Sequence, residues 1–85
     1  MLSRVEIDIL QYLKAEGLVD QMNSRTIQNI SKGVGLNYFR VRNNVSHLYQ
    51  LKLIGMGFKQ KQSNAFYITG KGQKNIPQIE GFGEW

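Results

Sequence analysis

The chain has 85 residues, of which 41% are hydrophobic, with nine glycines, one proline, no cysteine and a formal net charge of +5. That length suits one compact domain burying only about 60–65% of its unfolded surface, too little for a large active-site cavity, while the apolar content excludes a disordered chain. Without cysteine there can be no disulfide, thiolate zinc site or cysteine nucleophile, and the cytoplasm is the default compartment.

Residues Met1 to Leu10 include Arg4, Glu6 and Asp8, so this stretch lacks the uncharged core of a secretory signal. No apolar run approaches the roughly 20 residues that a membrane span needs. A first helix is predicted over Arg4 to Glu16. Ser3 and Glu6 form a capping box at its start, Leu2 can staple onto Ile7, and Val5, Ile9, Leu10 and Leu13 recur at helical spacing. Gly17 can supply the left-handed residue that ends it. Gln21 to Asn23 is the candidate for one small strand. Ser24 is then the expected N-cap of a brief second helix with Ile27 and Ile30 on its buried side, ending near Gly33. Gly33-Val34-Gly35-Leu36 reads as a tight turn, and Asn37 as the next N-cap.

A third helix is expected from about Asn37 to Lys52. Val41, Val45 and Leu48 lie in one narrow stripe at about 100° per residue and should face the core. The opposite face carries Phe39, Asn43, Ser46 and Gln50, flanked by Arg40, Arg42 and His47. Beyond it, Ile54 to Phe58 and Ala65 to Thr69 read as the strands of a hairpin with a polar tip from Lys59 to Asn64. Lys71 to Ile76 adds a short helical turn. The fold class is therefore mainly α with a small β hairpin over residues 1–76, followed by a C-terminal tail of residues 77–85 that orders only by packing on something.

Charge placement says more than net charge. Glu6, Asp8, Glu16 and Asp20 precede Gln21, and Glu80 and Glu84 follow Ile79. The span between contains no acid, yet it holds Arg25, Lys32, Arg40, Arg42, Lys52, Lys59, Lys61, Lys71 and Lys74. Segregation of this kind sets up a one-signed field, and a polyanion is its natural partner. The third helix also offers the groups that read duplex DNA: arginine for guanine, asparagine or glutamine for adenine, and an apolar ring for a thymine methyl. Arg40, Arg42, Asn43, Asn44 and Phe39 supply them, with Ser46 and His47 alongside. Asn43 and Asn44 read alternatively as ordinary surface amides, and Phe39 as a ring packed under the hairpin or on a partner subunit. The Tyr38 ring packs while its hydroxyl can reach a phosphate. Lys59 and Lys61 point the same way if the strand runs through them, and with Gln62 and Asn64 they form a tip suited to phosphates or the minor groove. Around His47, the single histidine, neither a metal site nor a catalytic dyad assembles, so no enzyme and no cofactor is expected.

Three helices followed by a basic-tipped hairpin resemble the winged helix-turn-helix transcription regulators, of the broad kind that includes the multiple-antibiotic-resistance and phenolic-acid repressors. The matching residues are Thr26-Ile-Gln-Asn-Ile30, Gly35-Leu36-Asn37, Val41 and Leu48, Leu53-Ile54, and Tyr67-Ile-Thr-Gly-Lys-Gly72. The family often has glycine before the Leu-Ile pair, where this chain has Lys52; a left-handed lysine there costs about 1 kcal/mol. The resemblance implies binding to double-stranded DNA, with Asn37 and the third helix in the major groove; the positive dipole end of helix 2 suits Arg25, in its first turn, to a backbone phosphate, and the small area that one module buries on DNA implies a homodimer. The exposed side of helix 1 and Ile79, Phe82 and Trp85 of the tail are the expected dimer surface. Two other readings stay open: a plasmid or phage centromere- or origin-binding protein for partition or replication, and a winged-helix protein-interaction module.

Overall fold

The computed structural model describes residues 2–76. Helix α1 (Arg4–Ala15) is followed by β1 (Arg25–Thr26), α2 (Ile27–Val34), α3 (Tyr38–Gln50), β2 (Ile54–Met56), β3 (Ala65–Ile68) and α4 (Gly70–Lys74). The sheet order is β1-β3-β2, with both pairings antiparallel; Arg25 sits opposite Phe66, and Ile54 opposite Ile68. One core lies between the three long helices and the sheet. Ile9, Leu10 and Leu13 of α1, Ile30 of α2, Val41, Val45 and Leu48 of α3, and Ile54 and Ile68 of the sheet are fully enclosed. The apolar stripe predicted for α3 is thus its buried face.

The helix ends show how local chemistry sets the frame. At the start of α1 the Ser3 hydroxyl accepts from the Glu6 amide (3.2 Å) and the Ser3 amide donates to Glu6 Oε1 (2.9 Å), completing the capping box. Its other end closes as a Schellman turn, with the Leu18 amide donating to the Leu13 carbonyl at 2.9 Å across Gly17. Helix α3 closes in the same way. There the amides of Lys52 and Leu53 donate to the carbonyls of Tyr49 (3.0 Å) and Leu48 (3.1 Å), and the left-handed position, φ 63°, is Lys52. Lysine occupies the glycine site without changing the turn.

Two expectations about the second helix are corrected. The strand is Arg25–Thr26, not Gln21 to Asn23, because Asp20 curls the preceding loop: its carboxylate accepts from the Asn23 amide at 2.8 Å and from the Asn23 side chain at 3.0 Å. Ser24 is buried and donates its hydroxyl to the Gln21 carbonyl, so the N-cap is Thr26, whose Oγ1 accepts from the Asn29 amide. Arg25 therefore lies in a strand and not in the first turn of α2. The helix ends at Val34, one residue past the expected Gly33, with Gly35 left-handed at φ 72°.

The hairpin strands are shorter than predicted, and the tip is tighter. Gln60 and Ser63 bridge across a two-residue turn in which Lys61 and Gln62 are both left-handed, φ 51° and 70°. A two-residue hairpin turn of this type requires positive φ at both positions. Lys61 consequently occupies the turn and not a continuing strand, which removes the basis for Lys59 and Lys61 sharing one side. The expected turn at Lys71 to Ile76 is α4, capped by Thr69. The Thr69 hydroxyl accepts from the Gly72 amide (3.0 Å) and lies 2.9 Å from both the Lys52 and Leu53 carbonyls, while Lys71 Nζ donates to the Leu51 carbonyl at 3.0 Å. A side chain at Gly72 would stand 2.0 Å from the Leu53 carbonyl oxygen. The Thr-x-x-Gly motif thus locks the end of α3 onto α4.

Candidate nucleic-acid interface

Because its buried stripe is narrow, α3 presents most of its circumference to solvent. Tyr38, Phe39, Arg40, Arg42, Asn43, Ser46, His47, Tyr49 and Gln50 are all exposed, and Asn44 is half-buried. Asn37 caps the helix, its Oδ1 accepting from the Phe39 amide at 2.8 Å and lying 3.4 Å from that of Arg40. This fixes the backbone from which Tyr38, Phe39 and Arg40 project, but it also occupies the Asn37 side chain.

Three surfaces meet around Arg42. Two adjoining shallow cavities are lined by Thr26, Gln28 and Asn29 of the β1–α2 junction, Tyr38 and Arg42 of α3, and Gln60, Lys61, Ser63 and Asn64 of the hairpin tip. The tip is tied down by Gln60 Nε2, which donates to the Ser24 carbonyl at 2.8 Å. Thr26, Gln28, Asn29, Gln60 and Ser63 are not among the residues that the sequence predicts to contact DNA. Their signal was present: polar uncharged residues at a helix start and a turn, both inside the acid-free span.

Other predicted residues are turned elsewhere. Arg25 reaches back to α1, donating to the Tyr12 hydroxyl at 2.9 Å and pairing with Glu16 at 3.3 Å, with its guanidinium 6.0 Å from the centre of the Tyr12 ring. Two of its five guanidinium N–H groups are thereby committed to Tyr12 and Glu16. The His47 ring, on the α1 flank of α3, pairs through Nδ1 with Glu6 Oε2, which corrects the expectation that no carboxylate joins it, because packing of α1 on α3 brings together residues far apart in sequence. Asn44 donates to the Arg40 carbonyl within its own helix at 2.7 Å and lies 3.4 Å from the Ser3 hydroxyl. Both residues face the α1–α3 seam. Lys59, Lys61, Gln62 and Asn64 are exposed on the hairpin tip. Ile79, Phe82 and Trp85 lie outside the described residues.

The electrostatics follow from where the carboxylates go. Asp8 pairs with Arg4, Glu16 with Arg25, Asp20 holds Asn23, and Glu6 is buried. Burial alone would raise the Glu6 carboxyl, but hydrogen bonds from the Ser3 amide and His47, His47 charge and the Ser3 hydroxyl outweigh it and hold it below the usual range. All four acids of the described residues sit on α1 or the loop after it, and among those residues Arg40 and Arg42 have no carboxylate partner. The exposed side of α3, the start of α2 and the hairpin tip form one surface without a negative charge.

A helix-turn-helix formed by α2 and α3, followed by a β2–β3 wing closing onto β1, defines the winged helix-turn-helix fold. Known structures share it. The fold superposes on BpsR of Bordetella bronchiseptica, described for regulation of its DNA binding by 6-hydroxynicotinic acid, with a TM-score of 0.77 and 16% identity, over 98% of this chain and 60% of that one. Staphylococcus aureus MepR in complex with DNA matches with a TM-score of 0.76 and 20% identity, over 98% of this chain and 65% of MepR. The DNA-binding TubR fragment from Clostridium botulinum matches with a TM-score of 0.74 and 26% identity, over 93% of this chain and 98% of the fragment. The chain thus spans less than two thirds of BpsR and MepR but nearly the whole TubR fragment. No protein-family profile and no curated protein sequence matches it.

Proposed function

We propose that this chain binds double-stranded DNA sequence-specifically as a transcription regulator, with α3 in the major groove and the wing on the backbone or minor groove. The observation that carries the reading is the disposition of charge. Every described carboxylate is on α1 or its following loop, which leaves Arg40, Arg42, Asn43, Ser46, Gln28 and the tip lysines on one acid-free surface of a winged helix. Arg42 and Asn43 can read base edges, and Tyr38, Asn29, Lys59 and Lys61 can meet phosphates on either side. Arg25, His47 and Asn44 are engaged with α1 or their own helix and act as structural residues. Neither catalysis nor a cofactor is part of this reading. Among the described residues no helix is long and apolar enough to cross a membrane, and the cytoplasm is the proposed location.

One module of this size buries only about 600–1,000 Å² on DNA, so useful affinity calls for two copies. A homodimer on a two-fold or repeated site follows, drawing on the exposed side of α1 and on Ile79, Phe82 and Trp85. Sedimentation showing only monomer at micromolar concentration, with and without DNA, would count against it. A second reading, a protein that coats repeated sites in plasmid or phage partition or replication, draws support from the match to TubR of Bacillus megaterium pBM400, which the chain covers to 87% of its length. Selection of bound duplexes from a random pool tests the reading. A discrete symmetric site supports the regulator, an array of repeats supports the second reading, and no enrichment over the starting pool refutes both.

A further inference from the structure

We infer that Phe39 is a thymine-methyl reader held in place by Tyr38, and that it sets a thymine preference at one position of each half-site; this rests on the DNA-binding reading above. Phe39 is 64% exposed at the second residue of α3, beside Tyr38, which is itself 42% exposed. The Phe39 ring has one aromatic neighbour among the described residues. Tyr38 meets it edge to face, with centroids 5.4 Å apart and planes at 88°, and the Asn37 cap fixes the backbone amide of Phe39 at 2.8 Å. Tyr38 in turn lines the cavity shared with Thr26, Gln28 and Arg42. The result is an apolar tip, supported on one side by Tyr38, at the leading end of the helix proposed to enter the groove.

The occupant follows from charge and base chemistry. Phe39 is adjacent in sequence to Arg40 and shares the exposed surface of α3 with Arg42 and Asn43, with no described carboxylate there, so pairing this face with its copy would bring two cationic arrays together. A polyanion has the complementary charge. In the major groove the thymine C5-methyl is the apolar group a base pair presents, so a phenyl ring among arginines finds its partner there. Asn43 lies one turn further along the same exposed stripe, about 6 Å along the axis, so the two residues address neighbouring base pairs.

The experiment uses the full chain and the duplex that it selects from a random pool, with each thymine replaced in turn by deoxyuridine, which removes only the methyl group. The parent protein should lose roughly three- to tenfold in affinity at one position per half-site, the effect of uncovering one methyl group and part of a ring. Phe39→Ala, with its thermal unfolding checked, should bind the all-thymine duplex more weakly by a similar factor and be indifferent to deoxyuridine at that position. A parent protein that binds every deoxyuridine duplex as well as the original, or a selected site without thymine, overturns the inference while DNA binding stands. A Phe39→Ala variant that keeps its DNA affinity and its deoxyuridine sensitivity overturns it too. If no duplex is selected at all, the DNA-binding reading falls and this inference with it.

Discussion

Lys52 occupies a position that the chain geometry reserves for glycine, and its replacement has a calculable effect. Its φ of 63° is left-handed, its carbonyl accepts from Thr69, and among the described residues its ammonium group has no carboxylate partner. Relieving the clash between Cβ and backbone returns about 1–2 kcal/mol, and the greater freedom of glycine in the unfolded chain takes back about 0.4–1 kcal/mol. At the midpoints of these ranges Lys52→Gly should stabilise the fold by about 0.8 kcal/mol, raising Tm by about 3–6 °C for a domain of this size. Thermal unfolding followed by circular dichroism or calorimetry measures it. Lys52→Ala is the control, since it removes the charge but keeps the Cβ, and it should gain little. Equal gains in both variants, or a lower Tm for Lys52→Gly, would refute the idea that strain at this turn governs the effect.

Gly72→Ala should destabilise by about 1–3 kcal/mol in the same unfolding experiment, because the new Cβ meets the Leu53 carbonyl and pushes α4 off the end of α3. Arg25→Ala should lower Tm slightly, through loss of the Tyr12 and Glu16 contacts, while leaving the salt dependence of DNA binding unchanged; Arg42→Ala should reduce that slope by about 1 if it meets a phosphate, or relax specificity at one position if it meets a base. Glu6 makes stability pH-dependent. Its folded carboxyl lies below the ordinary value of 4.5, so its contribution is full above that pH and is lost as pH falls through the lower folded value. Glu6→Gln should therefore be less stable at neutral pH and should flatten the acid limb of a stability profile measured by urea unfolding.

The sequence was most legible where the determinants are local or periodic. The capping box of Ser3 and Glu6, the Val41, Val45 and Leu48 stripe, the Asn37 cap and the unusual Lys52 are each readable from neighbours a few residues away, and all appear in the fold. The acid-free span was equally legible, because segregation of charge in sequence became segregation in space. What escaped were choices made by side chains reaching across the fold. Nothing local says that Tyr12 and Glu16 take Arg25, or that Glu6 takes His47 from 41 residues away. The start of α2 was misplaced because Ser24 and Thr26 are both good caps, and the decision was made by Asp20 folding the loop and by β1 pairing with β3. Lys61 was misread because Lys-Gln is an uncommon pair for a turn that demands two positive φ angles.

The central claim, that the acid-free side of α3 contacts DNA, is tested most directly by the affinity of an Arg40→Ala, Arg42→Ala variant for mixed duplex DNA at moderate salt, with unfolding measured alongside. One arginine contact to a base is worth about 1–3 kcal/mol, and a lost phosphate contact weakens binding further, so a folded double variant should bind at least about fivefold more weakly. A folded variant that binds as tightly as the parent would contradict the account.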